Sequence, residues 1–83
     1  GKEAALFVPT GTMGNTIAIK LHTEHGQEVI CEARSHILNY ELAMMAWFAG
    51  TLARPIAGED GILDWDRIRR EIRPLGPHWA PTG

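Results

Sequence analysis

Three short apolar runs alternate with three helical patterns along the chain, and this order restricts the possible folds more than any other feature. The runs predicted to be strands are residues 4–8 (AALFV), 28–32 (EVICE) and 51–56 (TLARPI). The segments predicted to be helices are residues 12–24, 36–48 and 65–73. Short strands that alternate with helices form parallel sheets with right-handed crossovers. We therefore predict an α/β fold with a mostly parallel sheet and no internal repeat or linker.

The predicted helices carry clear start and stop signals. An apolar stripe at four-residue spacing marks the first helix and consists of Met13, Ile17 and Leu21. Gly26 is placed to end this helix. Ser35 is expected to cap the second helix, which is apolar on most sides and stops at Gly50. Asp64 is expected to cap the third.

The charge pattern argues against a nucleic-acid or membrane partner. The net charge is −2, with acidic and basic residues interleaved. Four arginines lie at positions 67, 69, 70 and 73 among three acidic residues, which indicates a solvated helix face. No run approaches the ~18 apolar residues that a membrane span needs. The single cysteine, Cys31, lies in an apolar run, so we expect a buried thiol, no internal disulfide, a cytoplasmic location and no metal site.

The polar residues of interest lie in two strand-to-helix turns, and ligands of parallel sheets bind at this edge. In the first turn, backbone N–H groups at the start of a helix can bind an anion, which Gly11 can let approach closely. The hydroxyls of Thr10 and Thr12 can donate to the same anion. The turn is neither a P-loop nor the dinucleotide fingerprint. Simple helix capping by threonine remains the alternative.

The second turn places His36 at the start of the second helix. If the first two strands are neighbours, His36 lies close to the first turn, where it could stack on an aromatic ligand or move a proton. The alternative is that His36 only caps or packs. Together the two turns describe a site for a flat, phosphorylated molecule.

Three blocks of sequence resemble the low-specificity L-threonine aldolases. They are PTGTMGN at residues 9–15, the EVICE…SHI…YE block, and RP…GPHW near the end. This family belongs to the β-eliminating lyases among the aminotransferase-like (type I) pyridoxal-phosphate enzymes. The resemblance runs essentially from end to end. It implies that residues 1–83 are part of a three-layer α/β/α large domain that binds the cofactor, truncated at both ends.

The resemblance also implies roles for individual residues. The Thr10–Thr12 turn matches the segment that holds the phosphate of pyridoxal 5'-phosphate, and His36 matches the histidine that stacks on the pyridine ring. His78 matches a second histidine, a candidate proton acceptor from the substrate's β-hydroxyl. The residues after it depart from the family pattern, so an ordinary loop histidine is the alternative. Glu32 and Glu41 could orient His36, but we expect both at the surface or at a subunit interface.

The implied activity is the cleavage of L-threonine or L-allo-threonine, a small-molecule amino-acid substrate, to glycine and acetaldehyde. The resemblance also implies a homotetramer or dimer with shared sites. Neither lysine, Lys2 nor Lys20, is placed to form the Schiff base with the cofactor, so residues 1–83 alone are expected to be inactive. The alternatives are another β-eliminating lyase or aminotransferase-like enzyme, or a truncated relative without catalysis.

Overall fold

Four helices and two strands form the chain in the computed structural model, which describes residues 1–83. In chain order they are α1 (Gly11–His22), β1 (Glu28–Glu32), α2 (His36–Asn39), α3 (Met44–Trp47), β2 (Leu52–Ile56) and α4 (Trp65–Glu71). The predicted α/β class is confirmed. No helix has the length and apolar character needed to cross a membrane.

The two strands lie side by side and parallel. Glu28 pairs with Leu52 at one end of the sheet and Glu32 with Ile56 at the other. On the opposite edge of β1, Thr82 forms an isolated parallel bridge with Glu28. A small parallel sheet is therefore confirmed, with β1 between β2 and the C-terminal tail.

The predicted first strand does not form. Residues 4–8 run without a strand partner, and the Leu6 and Phe7 side chains are 74 % and 90 % exposed. Val8 instead lies against α1, close to Gly14. A strand needs a neighbour for its backbone groups, and the one open edge of β1 is bridged by the tail. The apolar composition of this segment was therefore a misleading signal.

The predicted second helix is two short helices rather than one. Between α2 and α3, Leu42 and Ala43 adopt φ angles of 55° and 57°. Such left-handed residues interrupt the helical hydrogen-bond ladder. Gly50, with φ of 68°, follows α3 as predicted. Ser35 occupies the N-cap position of α2, but its side chain makes no capping hydrogen bond.

Helix α4 agrees with its prediction. The Asp64 carboxylate accepts a hydrogen bond from the Arg67 backbone N–H at 2.9 Å and caps the helix. Arg67 and Arg69 pair with the acidic residues three positions earlier, at 3.1 and 2.8 Å. These two arginines thus lie on a solvated helix face, whereas Arg73 lies beyond the end of α4 and contacts the buried Glu28.

Few residues are fully buried, and most of these are polar. The buried residues are Glu28, Cys31, Glu32, Glu41, Met45, Ala49 and Thr51. Cys31 is buried as predicted, and this burial raises the pKa of its thiol. Fourteen large hydrophobic side chains remain exposed, an apolar surface of the kind that contacts other protein.

A buried ion cluster joins the start of β1 to α4 and the tail. The Glu28 carboxylate is 1 % exposed and is contacted by Arg54 from β2 and by Arg73, whose Nη1 lies 3.6 Å away. Arg54 also pairs with Glu71 at 3.2 Å, and the hydrogen bond to Glu28 raises the pKa of Arg54. The Arg73 guanidinium in turn lies over the Trp79 ring. These contacts hold the tail at the amino end of β1.

Candidate functional site

Helix α1 presents its N-terminus at the carboxyl end of the sheet. It ends at His22, and after a turn in which Gly26 has φ of 89°, β1 starts at Glu28. Asn15, one turn into the helix, bonds to Glu41 beyond the carboxyl end of β1, whereas His22 at the end of the helix lines a cavity with Val29 near the start of the strand. The helix therefore runs opposite to β1, with its N-terminus on the carboxyl side of the strand.

Thr10 is the N-cap of α1, so the capping interpretation is confirmed. Its Oγ1 accepts a hydrogen bond from the Met13 backbone N–H at 3.1 Å. Because the hydroxyl acts here as an acceptor, its proton remains available to a ligand. Capping and anion binding are therefore compatible at this residue.

The backbone N–H groups of Gly11 and Thr12 have no acceptor within the chain. The first helical hydrogen bond runs from the Gly14 N–H to the Thr10 carbonyl, at 3.3 Å. A Cβ added at Gly11 would meet no atom within 4 Å. Two unpaired donors, the positive end of the helix dipole and an open approach together make this end of α1 able to bind an anion.

A cavity of about 380 Å³ lies beside this end of α1. Its lining consists of Thr10, Thr12, Met13, Thr16, Ile17, Met44 and Phe48. The Thr16 hydroxyl oxygen is buried without a hydrogen-bond partner. A larger cavity of about 480 Å³, with a mostly apolar lining from α1, β1 and α4, contains none of the predicted site residues.

The second turn is tied to α1 by a buried carboxylate. Oε1 of Glu41 accepts hydrogen bonds from Nδ1 of His36 and from Nδ2 of Asn15 in α1, both at 2.8 Å. Glu41 is 3 % exposed, whereas the His36 side chain is 64 % exposed. The expectation of a surface or interface place for Glu41 is thus wrong, since the carboxylate is used inside the chain. The helix that follows the first turn is thereby tied to His36, and the nearness of His36 to the Thr10–Thr12 turn itself stays a prediction.

Glu32 is also buried, but it does not orient His36. Its carboxylate accepts hydrogen bonds from the backbone N–H groups of Arg34 at 2.6 Å and of Gly58 at 3.2 Å. The Arg34 hydrogen bond is the main cause of a lowered Glu32 pKa. Glu32 therefore fixes the loops that follow β1 and β2, and the expected surface position is wrong for it as well.

We expect the stabilisation that Glu32 provides to be lost in acid. Because the pKa of Glu32 is lowered in the folded state, its carboxylate stabilises the fold fully above the ordinary glutamate pKa of about 4.3. This stabilisation disappears as the pH falls through the pKa of the folded state. Glu32→Gln should therefore destabilise at pH 7, and its difference from wild type should shrink below about pH 4. Urea unfolding across this pH range measures the effect. Glu24→Gln, at an exposed carboxylate without a partner, is the control, and equal pH profiles for the two variants would contradict this assignment.

Sequence reasoning missed two features of this site. The Tyr40 ring lies 5.5 Å from the His36 ring at an angle of 37°, so two exposed aromatic rings stand side by side. Asn15 was also missed, because its contact with Glu41 joins residues 26 positions apart and leaves no local signal. The tyrosine could have been noticed, since it lies one turn after His36 on a predicted helix.

His78 is not brought together with His36. It is exposed in the tail, next to Trp79 at the amino end of β1, whereas His36 follows the carboxyl end. Its assignment as a proton acceptor stays a prediction. No group of three or more His, Cys, Asp or Glu side chains is placed to hold a metal ion.

Known proteins resemble the chain over its whole length. It is 39% identical over 83 residues to the low specificity L-threonine aldolase of Escherichia coli K12, a match that covers 99% of this chain and 25% of the relative. It is 41% identical over 85 residues to low-specificity L-threonine aldolase 1 of Arabidopsis thaliana, covering 99% and 24%. It is 37% identical over 87 residues to the probable low-specificity L-threonine aldolase of Schizosaccharomyces pombe, a match that covers 100% of this chain and 23% of the relative.

The chain thus spans about a quarter of the length of these curated relatives. The family model described as Beta-eliminating lyase matches residues 1–83. The start of α1, with its unpaired N–H groups, and the exposed His36 lie within that match. The chain therefore belongs to the Beta-eliminating lyase family.

Proposed function

We propose that the chain forms the phosphate-binding and ring-contacting part of a pyridoxal-phosphate-dependent aldolase that cleaves L-threonine or L-allo-threonine to glycine and acetaldehyde. The observation that carries the proposal is the pair of unpaired N–H groups at Gly11 and Thr12, which lie on the same helix that Glu41 ties to His36. The unpaired N–H groups of Gly11 and Thr12 can donate hydrogen bonds to a doubly charged phosphate. The exposed His36 imidazole can stack on a flat ring.

The residues present fit pyridoxal phosphate. The N–H groups of Gly11 and Thr12, with the hydroxyls of Thr10 and Thr12, would hold the phosphate, and His36 would stack on the ring. When bound, this cofactor supplies an electron-accepting ring that makes cleavage of the Cα–Cβ bond possible. The names of the relatives, low-specificity L-threonine aldolases, support threonine as the substrate.

We infer that neither lysine of the chain attaches the cofactor. Lys20 lies nine residues beyond Gly11 in α1, about 14 Å along the helix axis. Its Nζ lies 3.1 Å from Nδ1 of His25, near the opposite end of the helix. The attaching lysine would therefore come from protein outside residues 1–83, so this segment alone should not cleave threonine.

The exposed apolar surface supports packing against further protein. Large side chains such as Trp47, Leu42 and Phe7 are at least 75 % exposed. We propose that further parts of the same protein, or a second copy in a homo-oligomer, cover them. The cytoplasmic location also stays a prediction.

The test of function uses the complete protein, meaning the product of the whole reading frame that contains residues 1–83. We expect glycine and acetaldehyde from L-threonine or L-allo-threonine, in equal amounts and only after loading with pyridoxal phosphate. Ammonia and a keto acid instead would favour another β-eliminating lyase, and a new amino acid formed from an added keto acid would favour an aminotransferase-like enzyme. No reaction despite bound cofactor would indicate a relative without catalysis.

We expect His78→Asn to slow threonine cleavage if His78 accepts the hydroxyl proton. Loss of a general base typically lowers kcat by about 10²- to 10⁴-fold. His22→Asn is the matched control, because His22 is exposed at the end of α1 and has no predicted role. Equal kcat values for the two variants would show that His78 is an ordinary loop histidine.

A further inference from the structure

Glu41 is a buried carboxylate without a lysine or arginine beside it. Its side-chain partners are Nδ1 of His36 and Nδ2 of Asn15, and both donate to the same oxygen, Oε1. A buried carboxylate costs free energy unless hydrogen bonds compensate for the lost water. His36 and Asn15 are therefore the groups that keep this carboxylate inside the protein.

The backbone around Glu41 is strained in a way that supports a specific role. Leu42 and Ala43, directly after Glu41, both have φ angles in the left-handed region. Such conformations cost about 1 kcal/mol or more per residue and persist where the surroundings require them. The strained turn prevents α2 from continuing into α3. It directly follows Glu41, whose side chain is buried.

The contact determines which ring nitrogen of His36 faces Glu41 with a proton. An ionised carboxylate can only accept hydrogen bonds, so Nδ1 of the imidazole carries a proton in this contact. Nε2, on the other side of the ring, is left without this partner. Rotation of the ring would break the bond to Glu41, so the exposed imidazole is held in one tautomer and one orientation.

The same oxygen also fixes the position of His36 relative to α1. Asn15 lies one helical turn after Gly11, and its amide shares Oε1 with the imidazole. The carboxylate thus connects the ring with the helix whose N-terminus has the unpaired N–H groups. A flat, phosphorylated ligand would touch both ends of this connection.

We propose that Glu41 is a positioning residue of the site, which holds His36 as the Nδ1–H tautomer in a single ring orientation and, through Asn15, sets the distance between the imidazole and the N-terminus of α1. The effect on the cofactor rests on the proposed function. The state of the imidazole does not, because it follows from contacts within this chain.

The first test is the ring-nitrogen NMR spectrum of His36 in the complete protein without cofactor, assigned with His36→Asn. We expect a proton on Nδ1 in the wild type and its loss from Nδ1 in Glu41→Leu. Glu41→Gln should keep the Nδ1–H tautomer, because its amide oxygen accepts the same hydrogen bonds. Glu32→Gln, which removes a buried carboxylate that does not touch His36, should leave the spectrum unchanged.

The second test follows cofactor binding and catalysis. Loss of the carboxylate that orients a metal-binding histidine typically costs about 10- to 100-fold, and by analogy we expect a kcat decrease of this order for Glu41→Leu, with Glu41→Gln closer to wild type. Asn15→Ala should keep the tautomer but weaken cofactor binding several-fold, because only the link to α1 is lost.

Two results would overturn the proposal: a wild-type His36 with its proton on Nε2, or a Glu41→Leu variant whose His36 spectrum equals that of the wild type. If Glu41→Leu does not fold, the spectra of the wild type and of Asn15→Ala still test the proposal, because both should show a proton on Nδ1 of His36. A complete protein that binds no pyridoxal phosphate would contradict the proposed function, while the tautomer measurement would still test the role of Glu41. The two failures are therefore distinguishable.

Discussion

Gly11→Val should lower the affinity of the complete protein for pyridoxal phosphate by about 10- to 100-fold while leaving its stability nearly unchanged. A Cβ at Gly11 meets no atom of the chain, so an added side chain obstructs only a ligand that approaches the N–H groups. Hydrogen bonds to a charged group contribute about 1.5–3 kcal/mol each, which corresponds to this range of affinity. Equilibrium titration of the apoprotein measures the affinity, and urea unfolding measures the stability.

The control for this variant is pyridoxal, which lacks the phosphate. Attachment and ring contacts are common to both ligands, so the ratio of their affinities isolates the phosphate. Wild type should prefer pyridoxal phosphate strongly, and Gly11→Val should lose most of that preference without binding pyridoxal less well. An unchanged preference in Gly11→Val would place the phosphate elsewhere in the protein.

Glu28→Ala should destabilise the complete protein by about 3 kcal/mol, the largest stability effect expected for a single residue of this chain. The substitution leaves the partly buried guanidinium group of Arg73 without its carboxylate, leaves Arg54 with Glu71 alone, and loosens the tail from β1. Removing one partner of a buried ion pair is costly because the remaining charge stays poorly hydrated. Urea unfolding monitored by circular dichroism measures the loss.

Glu59→Ala is the matched control, because the Glu59 carboxylate is 87 % exposed and lies 3.8 Å from Arg67. A surface pair of this kind contributes less than about 1 kcal/mol. Similar losses for the two variants would show that the cluster around Glu28 is not a determinant of stability.

Local sequence signals predicted much of the fold. Strand β1 has the predicted bounds, β2 starts one residue later, and Asp64 caps α4 as expected. These features depend on β-branched composition and on capping groups within a few residues. The predicted strand at residues 4–8 failed because a strand also requires a partner, which no local pattern reveals.

The site shows the same division between local and distant contacts. The Thr10–Thr12 turn and His36 could be selected from the sequence, since each follows a short apolar run and lies at the start of a helix. The inward position of Glu41 could not, because it depends on Asn15, which is 26 residues away, and on left-handed backbone at two non-glycine residues. The predicted second helix is divided at Leu42 and Ala43, directly after Glu41.

The central claim is that the N-terminus of α1 and His36 together hold a phosphorylated ring. A crystal structure of the complete protein with pyridoxal phosphate tests it most directly. We predict phosphate oxygens at about 2.7–3.2 Å from the backbone nitrogens of Gly11 and Thr12, with the pyridine ring stacked on the His36 imidazole. A phosphate bound away from α1, or a pyridine ring without contact to His36, would contradict the account.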